Sequence, residues 1–593
     1  MNFSRNNLNK ASSPYLQQHK DNPVWWQEWT QETLDYAWER SKPIFVSVGY
    51  ATCHWCHVMA RESFQDERAA QYLNDHFVSI KIDREQRPDI DYYLMAYITA
   101  TGAGGGWPLN AFLTPDLHPM YAMTYAPVEP QYGRVSFIEI LMKIKDYYAR
   151  SGQQVGSFDP PLAWAEDSYE TEADLVNILR GSFDPEFGGF GRGTKFPPHT
   201  TLVFLLYSLA SSGDEKVKLD LEKTLDNMYL RGLHDHLQGG FFRYCVDRKW
   251  TIPHFEKMLY DQAMLVWVYS LAFAVFRKDD YSRVVRKLLN CLDETFESQG
   301  LYYSGHDADT DHQEGATYVW GQQSLAQVLT QQEYAQFIRI YDISITGNFE
   351  GKNHLIRKDH SSLDEIEAIL LKERRKRAQP FVDQKFVTFW NCLVGIGFVH
   401  AHRYLGSQEE LTKASALAEN LLARHYQNGR LAHSSCAGQL QKDEFLQDYA
   451  AMLLFLTYLH EETGLWGEEM AEFYLKTKAF RKEDVWMESF NDDFFPVRAD
   501  FFDHPTPSSV SLAELACLRV DILKGQDYTA KAYRTPLNHD FFNVMSLLAN
   551  GSFHVIGAPA NLPWDRLPVN SLQRRSAHFS DCYRGACRED YNW

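Results

Sequence analysis

Two cysteines separated by two residues, Cys53-His54-Trp55-Cys56, stand where an apolar run rich in β-formers gives way to helical sequence. Ile44-Phe45-Val46-Ser47-Val48 reads as a short buried strand, with Lys42-Pro43 before it and the turn Gly49-Tyr50-Ala51-Thr52 after it. From Cys53 the pattern is helical through Leu73, and Trp25 to Arg40 reads as a helix ahead of the strand. Phe77-Val78-Ser79-Ile80-Lys81-Ile82 is a second strand. Leu109 to Leu113, beyond the glycine loop Gly102–Gly106, is a third. A helix start carries unpaired N–H groups and a positive dipole end, and both favour the thiolate of a cysteine placed there.

Strand, helix, strand with CxxC at the first strand-to-helix turn is the thioredoxin order. In that order Cys53 is the exposed, attacking thiol, and Cys56, one turn on, resolves the mixed disulfide. His54 adds positive charge that favours the thiolate, and Trp55 offers a docking surface. Pro108, between Trp107 and the third strand, matches the position of a cis-proline facing the disulfide. Two other readings stay open. Cys53, His54, Cys56 and His57 are all zinc-ligand types, but neighbours at a helix start do not easily converge on one ion, and no second CxxC exists. The motif is alternatively structural or inert. No metal or other cofactor is called for. The remaining cysteines are scattered apart from Cys582 and Cys587, which read as unpaired thiols rather than a late disulfide.

At 593 residues the chain exceeds one core. Residues 1–150 form the expected thioredoxin-like domain, 151–170 a Gly-, Ser- and Pro-containing linker, and 171–593 a helical domain. There, Thr200–Ser211, Lys216–Leu230, Phe255–Phe276, Tyr281–Ser298, Phe386–Tyr404, Glu409–His425 and Leu446–Thr463 read as helices. Glycine-aromatic elements punctuate them: Gly188-Gly189-Phe190, Gly239-Gly240-Phe241-Phe242, Gly300-Leu301-Tyr302-Tyr303 and, more weakly, Gly429-Arg430-Leu431. Repeated αα units of this kind predict a closed all-α ring of six hairpins, an (α/α)6 barrel, with an open solenoid as the alternative. The fold class is therefore multidomain, an α/β thioredoxin fold plus a large all-α barrel.

Lys and Arg total 59 against 78 Asp and Glu, a formal net charge of −19, which speaks against nucleic acid as a partner. The polar Met1–Lys10 stretch lacks the apolar run of a secretory signal. The apolar segments Met264–Phe276 and Ala450–Leu459 fall short of the ~18 residues of a membrane span. No membrane association and a cytoplasmic location are expected.

In the helical domain, His234, His236, His254, Glu256, Asp261, Asp307 and Asp309 are the candidate acid, base and ligand-binding residues, with Trp250 the candidate stacking residue. General acid–base chemistry on a sugar needs such carboxylates and imidazoles. Flat rings such as Phe241, Phe242, Tyr244, Trp250, Tyr302, Tyr303 and Trp320 pack on the apolar face of a sugar ring. The six residues His234, His236, His254, Glu256, Asp307 and Asp309 are expected to converge at one rim. Each also has a structural reading, as a cap or tether. Asp307-Ala308-Asp309-Thr310-Asp311 starts like a calcium loop but fails at His312 and Tyr318.

Longer motifs carry a resemblance. Ser13-Pro14-Tyr15-Leu16, Gln18-His19, Asn22-Pro23-Val24, Trp26, Lys42-Pro43-Ile44, Gly49-Tyr50, Cys53 through Met59 and Glu62-Ser63-Phe64 begin it. Lys81-Ile82-Asp83-Arg84-Glu85, Arg87-Pro88-Asp89 and Gly105 through Asn110 follow. Gly189-Phe190-Gly191, Lys195-Phe196-Pro197, Asp235-His236 and Pro253 through Asp261 continue it into the helical domain. The chain resembles, over nearly its whole length, the spermatogenesis-associated thioredoxin-like family, also known from bacterial YyaL-type proteins. The resemblance implies a second domain like the six-hairpin glycosidase and sugar-epimerase barrels, and no settled reaction. The sequence departs from the family pattern at His306, Gln384, Cys392 and Pro507–Ser511, all in the helical domain. The reading that combines these points is a thiol-disulfide oxidoreductase or redox-regulated protein with a carbohydrate-related barrel, taking a thiol or disulfide protein partner and a carbohydrate-like small molecule. The alternatives are a non-catalytic scaffold, or a sugar-processing enzyme of epimerase or glycosidase type with the thioredoxin fold as accessory.

Overall fold

The computed structural model describes residues 2–131, 133–151, 154–160, 171–503, 505–526 and 540–589. In chain order the first domain comprises α1 (Pro14–Gln18), α2 (Gln31–Glu39), β1 (Ile44–Gly49), α3 (His54–Arg61), α4 (Glu67–His76), β2 (Val78–Asp83), α5 (Pro88–Ala100), β3 (Leu109–Leu113), β4 (Pro119–Met123) and α6 (Phe137–Ser151). The sheet order is β2-β1-β3-β4, with β1 parallel to β2 and antiparallel to β3. Every residue of β1 and β2 is buried: both faces of the sheet are covered, and at the edge Gln27 bridges to Ile80 of β2. This is a thioredoxin-like domain.

Two helix expectations change. Residues 25–30 are not helical: Gln27 bridges to Ile80 beside β2, and α2 starts only after Thr30, whose side chain accepts the Thr33 N–H. The long helix expected from Cys53 breaks after Arg61, and α4 restarts behind Asp66, which caps it by accepting the Ala69 N–H. Of the expected linker, residues 152–153 and 161–170 lie outside the described residues. Residues 155–160 have no regular structure, but Phe158 packs on Tyr93 and Tyr97 and its carbonyl accepts the Tyr93 hydroxyl at 3.0 Å.

The second domain contains α7 (Glu172–Gly181), α8 (His199–Ser212), α9 (Glu215–Leu230), α10 (Leu259–Phe276), α11 (Asp279–Thr295), α12 (Gln322–Val328), α13 (Gln331–Ile340), α14 (Asp364–Arg374), α15 (Thr388–Leu405), α16 (Gln408–His425), α17 (Leu446–Thr463), α18 (Gly467–Ala479), α19 (Ser509–Leu523) and α20 (Asp540–Ala549). Helices α8, α10, α15, α17, α19 and α20 form a closed inner ring, each packing on the next and α20 returning to α8. Helices α9, α11, α16 and α18 back α8, α10, α15 and α17 from outside. The sequence dictates who sits inside: α10 and α15 are buried almost all round, whereas α11 has one apolar stripe. The helical domain therefore resembles an (α/α)n barrel.

By length and composition α10 reaches membrane-span size, because the helix begins five residues before Met264; the apolar segment does not fall short as the sequence reading has it. It is nevertheless the core helix of the ring, 83% of that window being buried. The domain is also not all-α. Short hairpins lead into the inner helices, and a four-stranded sheet follows α20, in the order Ser571–Arg575, His554–Ala558, Ser580–Tyr583, Ala586–Arg588. In its last hairpin Cys582 lies opposite Cys587 across a turn at Gly585, and the two form a disulfide with a Cα–Cα distance of 4.0 Å. The reading as unpaired thiols is thereby corrected; the tight turn places the pair face to face.

The glycine-aromatic elements fold alike. In the first, Asp184 lies at the base of a loop closed by Gly188 and Gly189, and the Lys195 ammonium sits on Asp184 (3.1 Å) and the Gly188 carbonyl (2.9 Å). In the second, Asp235, Gly239 and Gly240 repeat the loop, with Lys257 on Asp235 (2.7 Å) and the Gly239 carbonyl (2.9 Å). Gly188 and Gly239 adopt positive φ, and an added Cβ would meet the backbone of α9 or α11 at 2.8 Å or less. The equivalent lysine before α15, Lys385, instead crosses the domain boundary. It contacts Glu85 (2.9 Å), Asp383 (3.1 Å) and Asp83, all fully buried.

The inner helices begin at one end of the ring. His199 meets Asp261 (3.5 Å), the Phe389 N–H donates to Asp448 (3.1 Å), and Asp540 accepts from Thr201 (2.5 Å). The thioredoxin-like domain covers this end. Substituting Lys385→Met leaves three buried carboxylates without their cation, a change that costs about 3–5 kcal/mol. Denaturant unfolding is expected to show this loss together with faster alkylation of Cys53 in the reduced protein. Lys195→Met, which breaks only an internal pair, is expected to lose stability while Cys53 stays protected.

Candidate functional site

Cys53 is the N-cap of α3, its sulfur accepting the Cys56 N–H at 3.2 Å, and the two cysteines form a disulfide with a Cα–Cα distance of 5.3 Å. The Trp107–Pro108 peptide is cis. Because Val48 pairs with Leu109, Pro108 lies beside the end of β1 from which the CxxC turn departs. Gly49 is there because nothing larger fits: an added Cβ would sit 2.7 Å from the Cys56 sulfur and 2.4 Å from the Tyr15 hydroxyl.

Cys53 is not exposed as expected. It is 3% accessible, while Trp55 beside it is 44% accessible. The helical domain accounts for this. His54 Nδ1 bonds Asp309 at 2.7 Å, His57 Nε2 bonds Asp307 at 3.0 Å, the Tyr50 hydroxyl donates to Glu256 at 3.2 Å, and the Thr52 hydroxyl reaches the Met258 sulfur at 3.4 Å. Asp307 and Asp309 belong to one hairpin, in which the Asp309 N–H donates to the Asp307 carboxylate and Asp309 pairs with Glu314 across a turn at Asp311-His312. The Asp-Ala-Asp run is therefore a latch onto α3 rather than a calcium loop. Burial alone would lower the His54 pKa, but the Asp309 hydrogen bond and the Glu314 and Asp309 charges outweigh it and leave it raised. Asp309 is correspondingly lowered, burial being outweighed by His54, His57 and Arg61.

Behind the latch lies a buried polar cluster around Asp261. Asp261 approaches His199 (3.5 Å) and Arg243 (3.6 Å), and Arg243 stacks over the Tyr260 ring (5.1 Å) and the Phe196 ring (5.5 Å). Both Asp261 oxygens, Glu256 Oε2 and Arg243 Nη1 are buried without a hydrogen-bond partner among the described residues. Burial pushes Asp261 up to about 7 against the pull of Arg243, raises Glu256 in the same way, and lowers His199 to about 3. Buried orphan polar groups are uncommon and mark places where a ligand or water completes the set.

The structure thus brings Cys53, Cys56, His254, Glu256, Asp261, Asp307 and Asp309 to one end of the ring, His254 bonding Glu314 and lying 5.9 Å from the His54 ring. Three candidates lie outside this cluster, in the segment that leads from α9 into α10. His234 and His236 bond each other at 3.2 Å in a buried group with Tyr229 and Tyr341. Trp250 is sealed in the first glycine loop, its indole N–H on the Phe187 carbonyl at 3.0 Å. His306 turns to the Thr295 carbonyl (2.9 Å) and stacks on Phe296. Among the described residues no group of three or more His, Cys, Asp or Glu is arranged to hold a metal ion. Tyr50, His199, Arg243 and Glu314 went unread in the sequence. Arg243 follows the second glycine-aromatic element directly, and that adjacency was the available signal.

Residues 5–162 match the Thioredox_DsbH family, described as a "Protein of unknown function, DUF255". An uncharacterized protein of Caenorhabditis elegans is 33% identical, across 89% of this chain and 82% of that protein. Spermatogenesis-associated protein 20 of Rattus norvegicus is 35% identical, across 77% of this chain and 67% of its own length. The chain belongs to the spermatogenesis-associated protein 20 family. The human member is 34% identical. Among solved structures, a sugar epimerase from a ruminal bacterium aligns at 11% identity over 60% of this chain and 97% of its own, with a TM-score of 0.30. A family 76 glycoside hydrolase from Bacteroides thetaiotaomicron aligns at 7% identity over 74% of this chain and 83% of its own, with a TM-score of 0.38. For this family member the ring is defined by its own helix packing.

The latch has a pH signature. The raised His54 contributes stability fully below its ordinary value of 6.5 and loses it as pH rises through the higher folded value; the lowered Asp309 contributes above 3.8 and loses it only at lower pH. Cys53 in the reduced protein is expected to be best shielded in mildly acidic solution and to open as the pH rises through the His54 transition. The measurement is its alkylation rate divided by that of a free thiol at each pH. His54→Gln is expected to flatten the ratio.

Proposed function

We propose that this chain is a thiol–disulfide oxidoreductase whose redox pair works at the closed mouth of a ligand-binding barrel. One observation carries the reading. The Cys53–Cys56 disulfide caps a helix beside a cis-proline, and the histidines that flank Cys53 and Cys56 are held by the barrel's Asp309 and Asp307. The reaction needs only thiols. A thiolate of an external dithiol attacks Cys53 Sγ, the Cys53–Cys56 bond breaks, and Cys56 leaves as thiolate. The donor's second thiolate then attacks its own sulfur in the mixed disulfide and releases Cys53. The donor loses two electrons and the protein gains them. A protonated His54 next to Cys53 and the α3 N-terminus favours the Cys53 thiolate. Because Cys53 is covered, a protein partner gains access only as the latch opens. A cytoplasmic setting, with its reducing thiol pool, would hold the pair largely as a dithiol.

Thiol trapping across a graded redox buffer is expected to show Cys53 and Cys56 titrating together as a two-electron couple. Asp309→Asn is expected to raise the Cys53 thiol pKa, read from the pH dependence of its alkylation relative to a free thiol, because His54 loses the carboxylate that favours its charged form. A pair that never closes, or that titrates as two independent thiols, would falsify the reading.

The Asp261 cluster supports a second role, recognition of a polyhydroxylated, carbohydrate-like molecule, with Asp261 and Glu256 as acid and base candidates of raised pKa next to Arg243 and His199. Asp261 holds its proton in the folded state up to about 7, against 3.8 when unfolded, so its contribution to stability falls as pH rises between those values. Asp261→Asn is expected to flatten that part of the stability–pH curve. It is also expected to abolish any thermal shift produced by neutral sugars at millimolar concentration. A sugar-induced shift that survives Asp261→Asn would place the ligand away from the Asp261 cluster.

A further inference from the structure

Away from the latch, a cleft of about 630 Å³ runs along the seam between the two domains. Its walls include Gln17 and Gln18 of α1 on one side and Tyr303, Phe381, Phe386 and Arg424 on the other. Its volume falls within the roughly 300–1,000 Å³ of small-molecule sites. Three features define what it would take.

The first is charge. No Asp or Glu lines the cleft, in a chain with 78 of them, and its one charged lining residue is Arg424. The described partners of that guanidinium are the Gln299 carbonyl (3.0 Å) and the face of Phe386 (5.2 Å); no carboxylate among the described residues pairs with it. Its remaining N–H groups are in the fork geometry that carboxylates and phosphates accept. The second is composition. Tyr303 and Phe386 stack on each other at 5.0 Å with their planes 20° apart, and Phe381 is 46% accessible, so the lining next to Arg424 is aromatic and apolar. The third is placement. The Gln18 side chain donates to the Ala51 carbonyl (3.0 Å), two residues before Cys53, and the Phe381 carbonyl accepts the N–H of Asp307, which holds His57.

We infer that this seam cleft is a binding site for a small organic anion, one with a carboxylate or phosphate head for Arg424 and a planar aromatic body for the Tyr303–Phe386–Phe381 wall. The occupant bridges the domains and touches the backbone supports of the CxxC turn from both sides. The site is distinct from the Asp261 cluster, and binding here does not require that Cys53 and Cys56 exchange electrons.

The test uses the full-length oxidised protein with benzoate and phenyl phosphate as probes, and inorganic phosphate and benzyl alcohol as the head-only and body-only arms. Titration calorimetry, with displacement of 8-anilinonaphthalene-1-sulfonate fluorescence, is expected to show one saturable site for an aryl anion. Each half-probe is expected to bind at least about tenfold more weakly, a difference of about 1.4 kcal/mol. Benzoate winning over phenyl phosphate assigns a carboxylate ligand, the reverse a phosphate. Arg424→Gln is expected to remove the site, with unfolding temperature and circular dichroism unchanged since Arg424 supports no buried group. Phe386→Leu is expected to weaken both aryl anions while sparing inorganic phosphate. Equal binding of aryl anions to the wild type and Arg424→Gln overturns the inference, as does benzyl alcohol binding as tightly as benzoate, or no saturable binding of either aryl anion at millimolar concentration.

Discussion

A single lysine, Lys385, holds the molecule in the shape that gives its site meaning. An ammonium buried with Asp83, Glu85 and Asp383 is costly to assemble, since each charge leaves water, and it persists only because every partner is fixed by regular structure on both sides. Asp83 ends β2, Glu85 follows it, and Asp383 and Lys385 flank the entry to α15. The cluster therefore fixes the register between sheet and ring. Burial and the crowding of carboxylates raise Glu85 despite the pull of Lys385. Arg87, paired with both Asp89 and Asp493, adds a second fixed point nearby. With these in place the CxxC turn faces the start of the inner helices.

That orientation changes what a thioredoxin fold can do. Free-standing, the fold offers its first cysteine to any partner that docks beside it. Here the docking face is occupied by the chain's own hairpin, and the contacts are directional hydrogen bonds to histidines rather than an apolar patch. Interfaces of this polar kind open more readily than buried apolar ones. The unpartnered polar atoms of Asp261, Glu256 and Arg243 lie behind the same turn. The chemistry of the cysteines and the contents of the ring are consequently linked by Tyr50, which comes from one domain and bonds Glu256 of the other.

Much of this was legible in the residues. The strand-to-helix position of the CxxC, the proline before β3 and the alternation of inner and outer helices follow from periodicity and turn chemistry, which are local. His254, Glu256, Asp307 and Asp309 could be named for the same reason: short polar runs at helix entries stand out. His234, His236 and Trp250 lie outside that cluster, His234 on His236 and the Trp250 indole on the Phe187 carbonyl, and only the tertiary fold decides that. Coverage of Cys53 was likewise invisible, because it depends on pairs about 250 residues apart in sequence, such as His57 with Asp307. Nothing local to Lys385 reveals that it reaches into the other domain.

The way the ring closes also sets a timetable. Its last seam joins α20 to α8, through contacts such as Asp540 with Thr201, 339 residues apart. On a ribosome the thioredoxin-like domain is complete after about a quarter of the chain, at 5–20 residues per second some tens of seconds or more before α20 emerges. For that interval Cys53 has no ring to sit against and meets whatever thiols or oxidants surround the nascent chain. The redox state in which the two domains first meet is thus set during synthesis, by the compartment rather than by the finished protein.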